Sequence, residues 1–212
     1  MLKNKKLLVL TSIITLLPVL AGLLLWDRLP ETIPIHWNVA GEIDGYGSRA
    51  MVVFGLFGFL LLMHWVCIAA TALDPKNKAQ GAKAAALVLW IVPVISVVMA
   101  MVVYATALGV TLSVNVILPI FLGLVFVVVG NLMPKCRQNY TIGIKVPWTL
   151  DDVDNWNATH RFAGRIWIAG GLFTMATALL GNIPIMLAVL LMMSFAPMVY
   201  SYLYYKKHKK ED

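Results

Sequence analysis

Ala84 to Pro134 reads AAALVLWIVPVISVVMAMVVYATALGVTLSVNVILPIFLGLVFVVVGNLMP, 51 residues without an Asp, Glu, Lys or Arg. A helix that crosses a bilayer takes about 20 apolar residues, so this stretch is too long for one crossing. It breaks between Gly109 and Asn115, where Gly, Thr, Ser and Asn cluster, into two helices and a tight hairpin. Three more charge-free runs flank it: Leu7 to Trp26, Ala50 to Leu73, and Ile166 to Tyr205. The last holds two helices with a break at Gly181-Asn182-Ile183-Pro184. Six spans result, at 7–26, 50–73, 84–108, 112–132, 164–181 and 183–205. The composition agrees. The 212 residues are 60% apolar and 13% charged, against roughly 45–50% and about 25% in soluble chains. A soluble core and a disordered chain are excluded, and two cysteines make no disulfide framework. The expected fold is an all-α integral membrane protein, a six-transmembrane-helix bundle.

The charges set its orientation. Lys3, Lys5 and Lys6 precede the first span, and Lys76, Lys78 and Lys83 separate the second and third. Lys135, Arg137, Lys145, Arg161 and Arg165 lie between the fourth and fifth, and Lys206, Lys207, Lys209 and Lys210 follow the sixth. With both termini cytoplasmic, fifteen of the 17 basic residues are inside, and only Arg28 and Arg49 are outside. The net charge of +7 is therefore a topological signal, and no direct nucleic-acid binding is expected. The first apolar run continues past Ala21 to Trp26, longer than a signal peptide needs, and is read as a retained span. Pro18, Pro93, Pro119 and Pro197 fall inside helices and should kink them.

Two connections are long. The first, residues 27–49, is expected outside and reads DRLPETIPIHWNVAGEIDGYGSR. Thr32 to Asn38 alternates Ile33, Ile35 and Trp37 with polar residues, the period of an extended strand. Pro30 and Pro34 stiffen it, and Gly41, Gly45 and Gly47 supply a tight return. Trp37 and Tyr46 suit an aromatic belt at the lipid interface. They equally suit a stiff lip that recognises a ligand, with a strand edge as the means. The second connection, residues 133–163, is expected inside. Thr149 followed by Asp152 approximates a capping box, so an interfacial helix should start near Leu150. On it Trp156, His160, Gly164 and Trp167 form one stripe, facing lipid or protein. Asp154, Arg161 and Arg165 form another, facing the cytosol.

Both loops resemble the SdpI-like family of bacterial membrane immunity proteins. In the first loop the resemblance lies in Leu29-Pro30, Ile33-Pro34, His36-Trp37-Asn38, Gly41 and Asp44-Gly45-Tyr46, the family's amino-terminal module of unknown function. In the second it lies in Asn131, Pro134, Asn139, Gly143-Ile144, Pro147-Trp148-Thr149-Leu150, Trp156, Arg161 and Gly164. One departure is Lys145, where the family often has Arg; ammonium cannot make the bidentate contacts of a guanidinium. The resemblance implies protection, at the bacterial plasma membrane, against a killing peptide of the SdpC type. It further implies sensing of that peptide and sequestration of a small cytoplasmic DNA-binding repressor. The expected ligand contacts are His36, Trp37, Asn38, Asp44 and Tyr46. The expected cytoplasmic signature is Asn131, Pro134, Asn139, Gly143, Pro147, Trp148, Thr149, Trp156, His160 and Arg161.

Enzyme chemistry finds little to use. The four histidines, His36, His64, His160 and His208, are scattered, and no zinc-type spacing occurs. His36 with Glu42 and Asp44 groups metal-ligand types outside, yet no metal and no cofactor is expected. The alternative function is a small-solute or ion-coupled transporter. His64 is ionisable and deep in a span, though an imidazole there also serves as interhelical glue. The two halves each read helix, long loop, helix, helix, the form of a 3+3 inverted repeat.

Overall fold

The structure, a computed structural model, describes residues 5–76, 82–180 and 182–208. Lys3, Lys78, Lys209, Lys210 and the Gly181 break lie outside them. The chain forms two compact units, one of residues 1–72 and 85–114 and one of residues 73–84 and 115–212.

In the first unit α1 (Lys5–Leu24) leads to a hairpin of β1 (Thr32–Trp37) and β2 (Ile43–Ser48), then α2 (Phe57–Leu73) and α3 (Ala82–Ala107). A π-helical turn, Met51–Leu56, opens α2. Helices are what these runs must form, because hydrocarbon leaves the backbone no partner but itself. Pro18 and Pro93 sit inside α1 and α3. Near Pro18 side chains from α3 bond to carbonyls of α1. Ser96 Oγ donates to the Thr15 carbonyl and Tyr104 Oη to the Pro18 carbonyl, both at 2.9 Å. Leu29, Ile33, Val52, Val53, Phe57, Ala100, Val103 and Tyr104 form the core at the hairpin's foot.

The second unit holds α4 (Val114–Leu132), a 3-10 turn at Met133–Lys135, α5 (Pro147–Asp151), α6 (Val153–Thr177), and α7 (Ile183–His208). Facing glycines let α4 and α6 touch backbone to backbone. A Cβ on Gly171 would stand 2.6 Å from the Gly123 carbonyl, and one on Gly164 2.7 Å from the Gly130 carbonyl. The pairs are seven residues apart on both helices and run antiparallel, a two-rung small-residue seam.

Five described helices are long and apolar enough to cross a membrane: Lys5–Leu24, Met51–Leu73, Ala85–Ala107, Val114–Lys135 and Ile183–His208. The sixth expected span falls in α6, whose amino-terminal half carries Asp154, Arg161 and Arg165 and lowers its hydropathy. Sequence led us to expect an interfacial helix followed by a turn into the span at 164–181. Instead one unbroken 25-residue helix runs from Val153. Its start also differs. Asp152 is the cap, accepting the Asp154 N–H at 2.7 Å. Thr149 belongs to α5, where its hydroxyl accepts the Val146 N–H at 3.1 Å and donates to the Ile144 and Val146 carbonyls.

Candidate functional site

The hairpin is built by local chemistry. Asn38 Oδ1 accepts the backbone N–H groups of Ala40 (2.9 Å) and Glu42 (3.0 Å), and its Nδ2 donates to the Glu42 carboxylate. Gly41 takes the positive φ, 82°, that closes the turn. The strands pair antiparallel, Thr32 with Ser48, Ile33 with Gly47 and Pro34 with Tyr46, with a bulge near Ile35. At the foot Arg49 donates to the Trp26 and Leu29 carbonyls, and its guanidinium lies 4.6 Å from the Trp26 ring centre. The five expected ligand contacts therefore divide. Trp37 is half-buried against the core and Asn38 is tied up in the turn. His36, Asp44 and Tyr46 remain exposed, with His36 Nδ1 paired to Asp44 Oδ1.

The second loop is the opposite. Asn139 is fully buried, and its Oδ1 accepts from the Thr141 and Ile142 N–H groups while Nδ2 donates to the Arg137 and Ile142 carbonyls. His160, 1% exposed, stacks on Trp156 with centroids 4.0 Å apart. The Ile144 N–H donates to His160 Nε2 at 3.1 Å, so the proton is on Nδ1, which donates to the Trp156 carbonyl at 2.8 Å. Burial pulls the imidazole pKa down to about 4, outweighing the backbone bond to Trp156 that raises it. The ring is neutral at ordinary pH. Gly143 has φ 120°, and a Cβ there would stand 3.0 Å from the Trp156 ring; only glycine fits. Trp156 Nε1 donates to the Cys136 carbonyl, and burial raises the Cys136 thiol pKa to about 11, leaving it unreactive.

The rest of the expected signature is placed as follows. Pro147 opens α5, and Trp148 Nε1 donates to Ser201 Oγ at 2.7 Å while its ring meets Tyr202 and Tyr205. Pro134 packs beside Gly164. Asn131 is exposed at the end of α4, where its Oδ1 accepts from the Lys135 ammonium at 3.5 Å. The Trp156–His160–Gly164 stripe faces protein, while Asp154, Arg161 and Arg165 are exposed. Lys145 is exposed, its ammonium donating to the Thr141 carbonyl.

Sequence reasoning missed Asp74, Gln138, Asn155 and Ser201. The buried Asp74 carboxylate accepts from Lys76 N–H (2.9 Å), Tyr140 N–H (2.8 Å) and Thr141 Oγ1 (3.0 Å). Gln138 accepts from Lys76 Nζ and donates to the Thr149 and Leu150 carbonyls. Asn155 Nδ2 donates to the Ser201 carbonyl and its Oδ1 accepts from Thr159. The one available signal was Asp74 itself, an acid beside Pro75 where α2 ends. In the first unit His64 is fully buried and meets Thr11 Oγ1 at 3.1 Å. The Thr11 hydroxyl donates to the Leu8 carbonyl, so Nε2 carries the proton and bridges α2 to α1. His64 Nδ1 has no partner among the described residues.

Residues 135–201 match the SdpI/YfhL protein family, and residues 13–61 match a domain of unknown function (DUF1648), so each unit carries one of the two stretches. The chain is thus similar to the SdpI-like membrane proteins in both of its long loops. It is 26% identical to the immunity protein SdpI of Bacillus subtilis (strain 168) over 204 residues, 94% of this chain and 96% of that one. No solved structure matches it.

Proposed function

We propose that the chain is a multi-pass immunity protein of the bacterial plasma membrane, with six spans and both termini cytoplasmic, that protects the cell from a killing peptide of the SdpC type. The observation that carries this is the end-to-end similarity to immunity protein SdpI, including both loops. In this reading the hairpin is extracellular and meets the peptide with His36, Asp44 and Tyr46. Trp37 and Asn38 hold those three in place. The chain acts by binding rather than by catalysis. The second loop is cytoplasmic, and its exposed Arg161 and Arg165 dock a small DNA-binding repressor.

Three experiments test the parts. Expression in a sensitive bacterium should raise survival against an SdpC-type peptide, and unchanged killing at normal membrane abundance would end the immunity reading. For topology, Ser48→Cys should be labelled by an impermeant reagent from outside and Asn157→Cys should not, both positions being exposed. The reverse pattern would invert every assignment. For docking, Arg161→Lys keeps the charge and removes the bidentate fork. Recruitment of a cytoplasmic partner should be lost, whereas equal recruitment would leave plain headgroup attraction, about 1 kcal/mol per charge.

A further inference from the structure

Two unpaired edges border the hairpin, and they are not alike. The Arg49 N–H donates to the Glu31 carbonyl and the Asn38 N–H to the Glu42 carbonyl, each at the end of the ladder. Antiparallel pairs alternate between hydrogen-bonded and non-hydrogen-bonded. With this register Thr32↔Ser48 and Pro34↔Tyr46 are non-hydrogen-bonded, so their backbone groups point away from the partner strand. On β1 that outer row is blunted. Pro34 has no N–H to offer, and Pro34 and its neighbour Ile33 are buried. On β2 the outer row is better preserved: Tyr46 turns both its N–H and C=O outward and Ser48 its N–H, while the Ser48 carbonyl starts the helix at Arg49 and its hydroxyl accepts the Met51 N–H. Their side chains are exposed, with Tyr46 at 59%. Among the described residues the sheet stops at these two strands.

The charge around this edge is one-sided. Asp27, Glu31, Glu42 and Asp44 are all exposed in a loop whose only basic residues are Arg28 and Arg49. Arg49 is occupied by the Trp26 and Leu29 carbonyls. Exposed Ile35, Val39 and Tyr46 place apolar surface among the acids.

We propose that the outer edge of β2 adds a strand from an extended, cationic, amphipathic peptide, with its backbone on Tyr46 and Ser48 and its basic side chains toward Glu42 and Asp44. Strand addition draws affinity from main-chain bonds and selectivity from alternate side chains. It leaves the hairpin fold untouched, and the acidic rim speeds encounter with a basic partner. This rests on the reading above that the hairpin meets the killing peptide, and it names how.

The test uses the full-length protein in nanodiscs of zwitterionic lipid, with empty discs as the background. The probes are fluorescent eight-residue peptides: alternating Lys and Val, the same with Glu for Lys, and the Lys peptide N-methylated at alternate residues. The Lys peptide should bind, as read by anisotropy. The Glu peptide should not, and N-methylation of the edge that would face β2 should weaken binding by about tenfold or more, because the donor to the Tyr46 carbonyl is lost and the methyl groups keep the strands apart. Tyr46→Pro should do the same from the protein side, and Thr32→Pro on the blunted edge should leave binding unchanged. Because a proline variant can misfold, the N-methylated peptide on the unaltered protein decides the matter. Equal binding of the methylated peptide, or binding that survives Tyr46→Pro in folded protein, overturns strand addition. Protection against killing in cells, measured separately, distinguishes the two failures. Protection without edge-dependent binding sinks only the docking mode. Edge-dependent binding without protection sinks only the immunity reading.

Discussion

The hairpin and the second loop carry the two densest sets of distinctive residues, and they use them in opposite ways. In the hairpin a single side chain, Asn38, organises the turn, and His36, Asp44 and Tyr46 stand in solvent. In the second loop Asn139, Thr149, Trp156 and His160 turn inward and satisfy one another or the backbone between them. A residue that is distinctive in sequence is thus not by that token a contact for a partner. In the second loop distinctiveness follows from packing, since each buried polar group must find a partner at a fixed place. In the hairpin nothing inside the fold requires a Tyr at position 46 or an Asp at 44. Beyond the His36–Asp44 pair, these exposed groups have no duty inside the fold.

The largest effect should come from Trp156, which is fully buried and stacked on His160. Trp156→Ala should cost about 3–5 kcal/mol, seen as a lower thermal midpoint in detergent and reduced membrane abundance. Tyr46→Ala, on an exposed strand position, should stay within about 0.5 kcal/mol. Comparable losses at both sites would erase the contrast between the regions.

Acid should separate them next. His160 is neutral in the fold, with its pKa pulled from 6.5 to about 4, whereas an unfolded chain would take up a proton from about pH 6.5 downward. Stability is therefore complete above about 6.5 and falls as pH drops from there toward 4, by up to about 3 kcal/mol at 1.36 kcal/mol per pKa unit. The protection factor of the Ile144 amide, which His160 holds, should fall between about pH 6.5 and 4.5 once the exchange rate is corrected for its intrinsic pH dependence. His160→Gln should abolish that pH dependence while leaving the hairpin amides as they were. A flat profile in the native protein would mean His160 is not the clamp its geometry describes.

A third, smaller effect concerns Asp74. Its carboxylate accepts three hydrogen bonds, two of them from Tyr140 and Thr141. Asp74→Ala should cost about 1–3 kcal/mol through the donors left unpaired, with faster proteolysis at Arg137 and Lys145 as the readout. Unchanged cleavage would show that the loop's other contacts, from Gln138, Asn139 and His160, hold it without Asp74.

The contrast also explains what could be read ahead of the structure. The helices were legible because charge gaps of the right length leave the backbone no other choice in lipid. The hairpin was legible because alternation, prolines and glycines are local signals and its strand pairing and turn are made within residues 31–49, although the core that Ile33 joins draws on Ala100, Val103 and Tyr104. The second loop was not. Asp74 meets Tyr140 from 66 positions away, and Asn155 meets Ser201 from 46, separations over which no periodicity speaks. The Thr149–Asp152 spacing looked like one capping box and turned out to be two devices, a hydroxyl closing α5 and a carboxylate capping α6. The Gly123/Gly171 and Gly130/Gly164 seam was equally silent, because a glycine shows its purpose only against the backbone facing it.

The smallest expected effect on stability, and the sharpest probe of function, is at Asp44. Its partner His36 is 70% exposed and Asp44 itself 44%, and exposed pairs contribute about 0.2–1 kcal/mol. Asp44→Asn keeps the shape and a hydrogen-bond acceptor for His36 while removing the charge. Thermal midpoint and membrane abundance should therefore hardly move. If the hairpin is the recognition surface, survival against the killing peptide should nonetheless fall, and more steeply at low ionic strength, where the lost attraction to a basic ligand counted most. Trp156→Ala would lower protection too, but together with abundance. Separation of the two readouts at Asp44, and their coupling at Trp156, is the outcome the two regions require. Full protection by the Asn variant at both salt concentrations would remove Asp44's charge from recognition and leave Tyr46 and the β2 backbone to carry it.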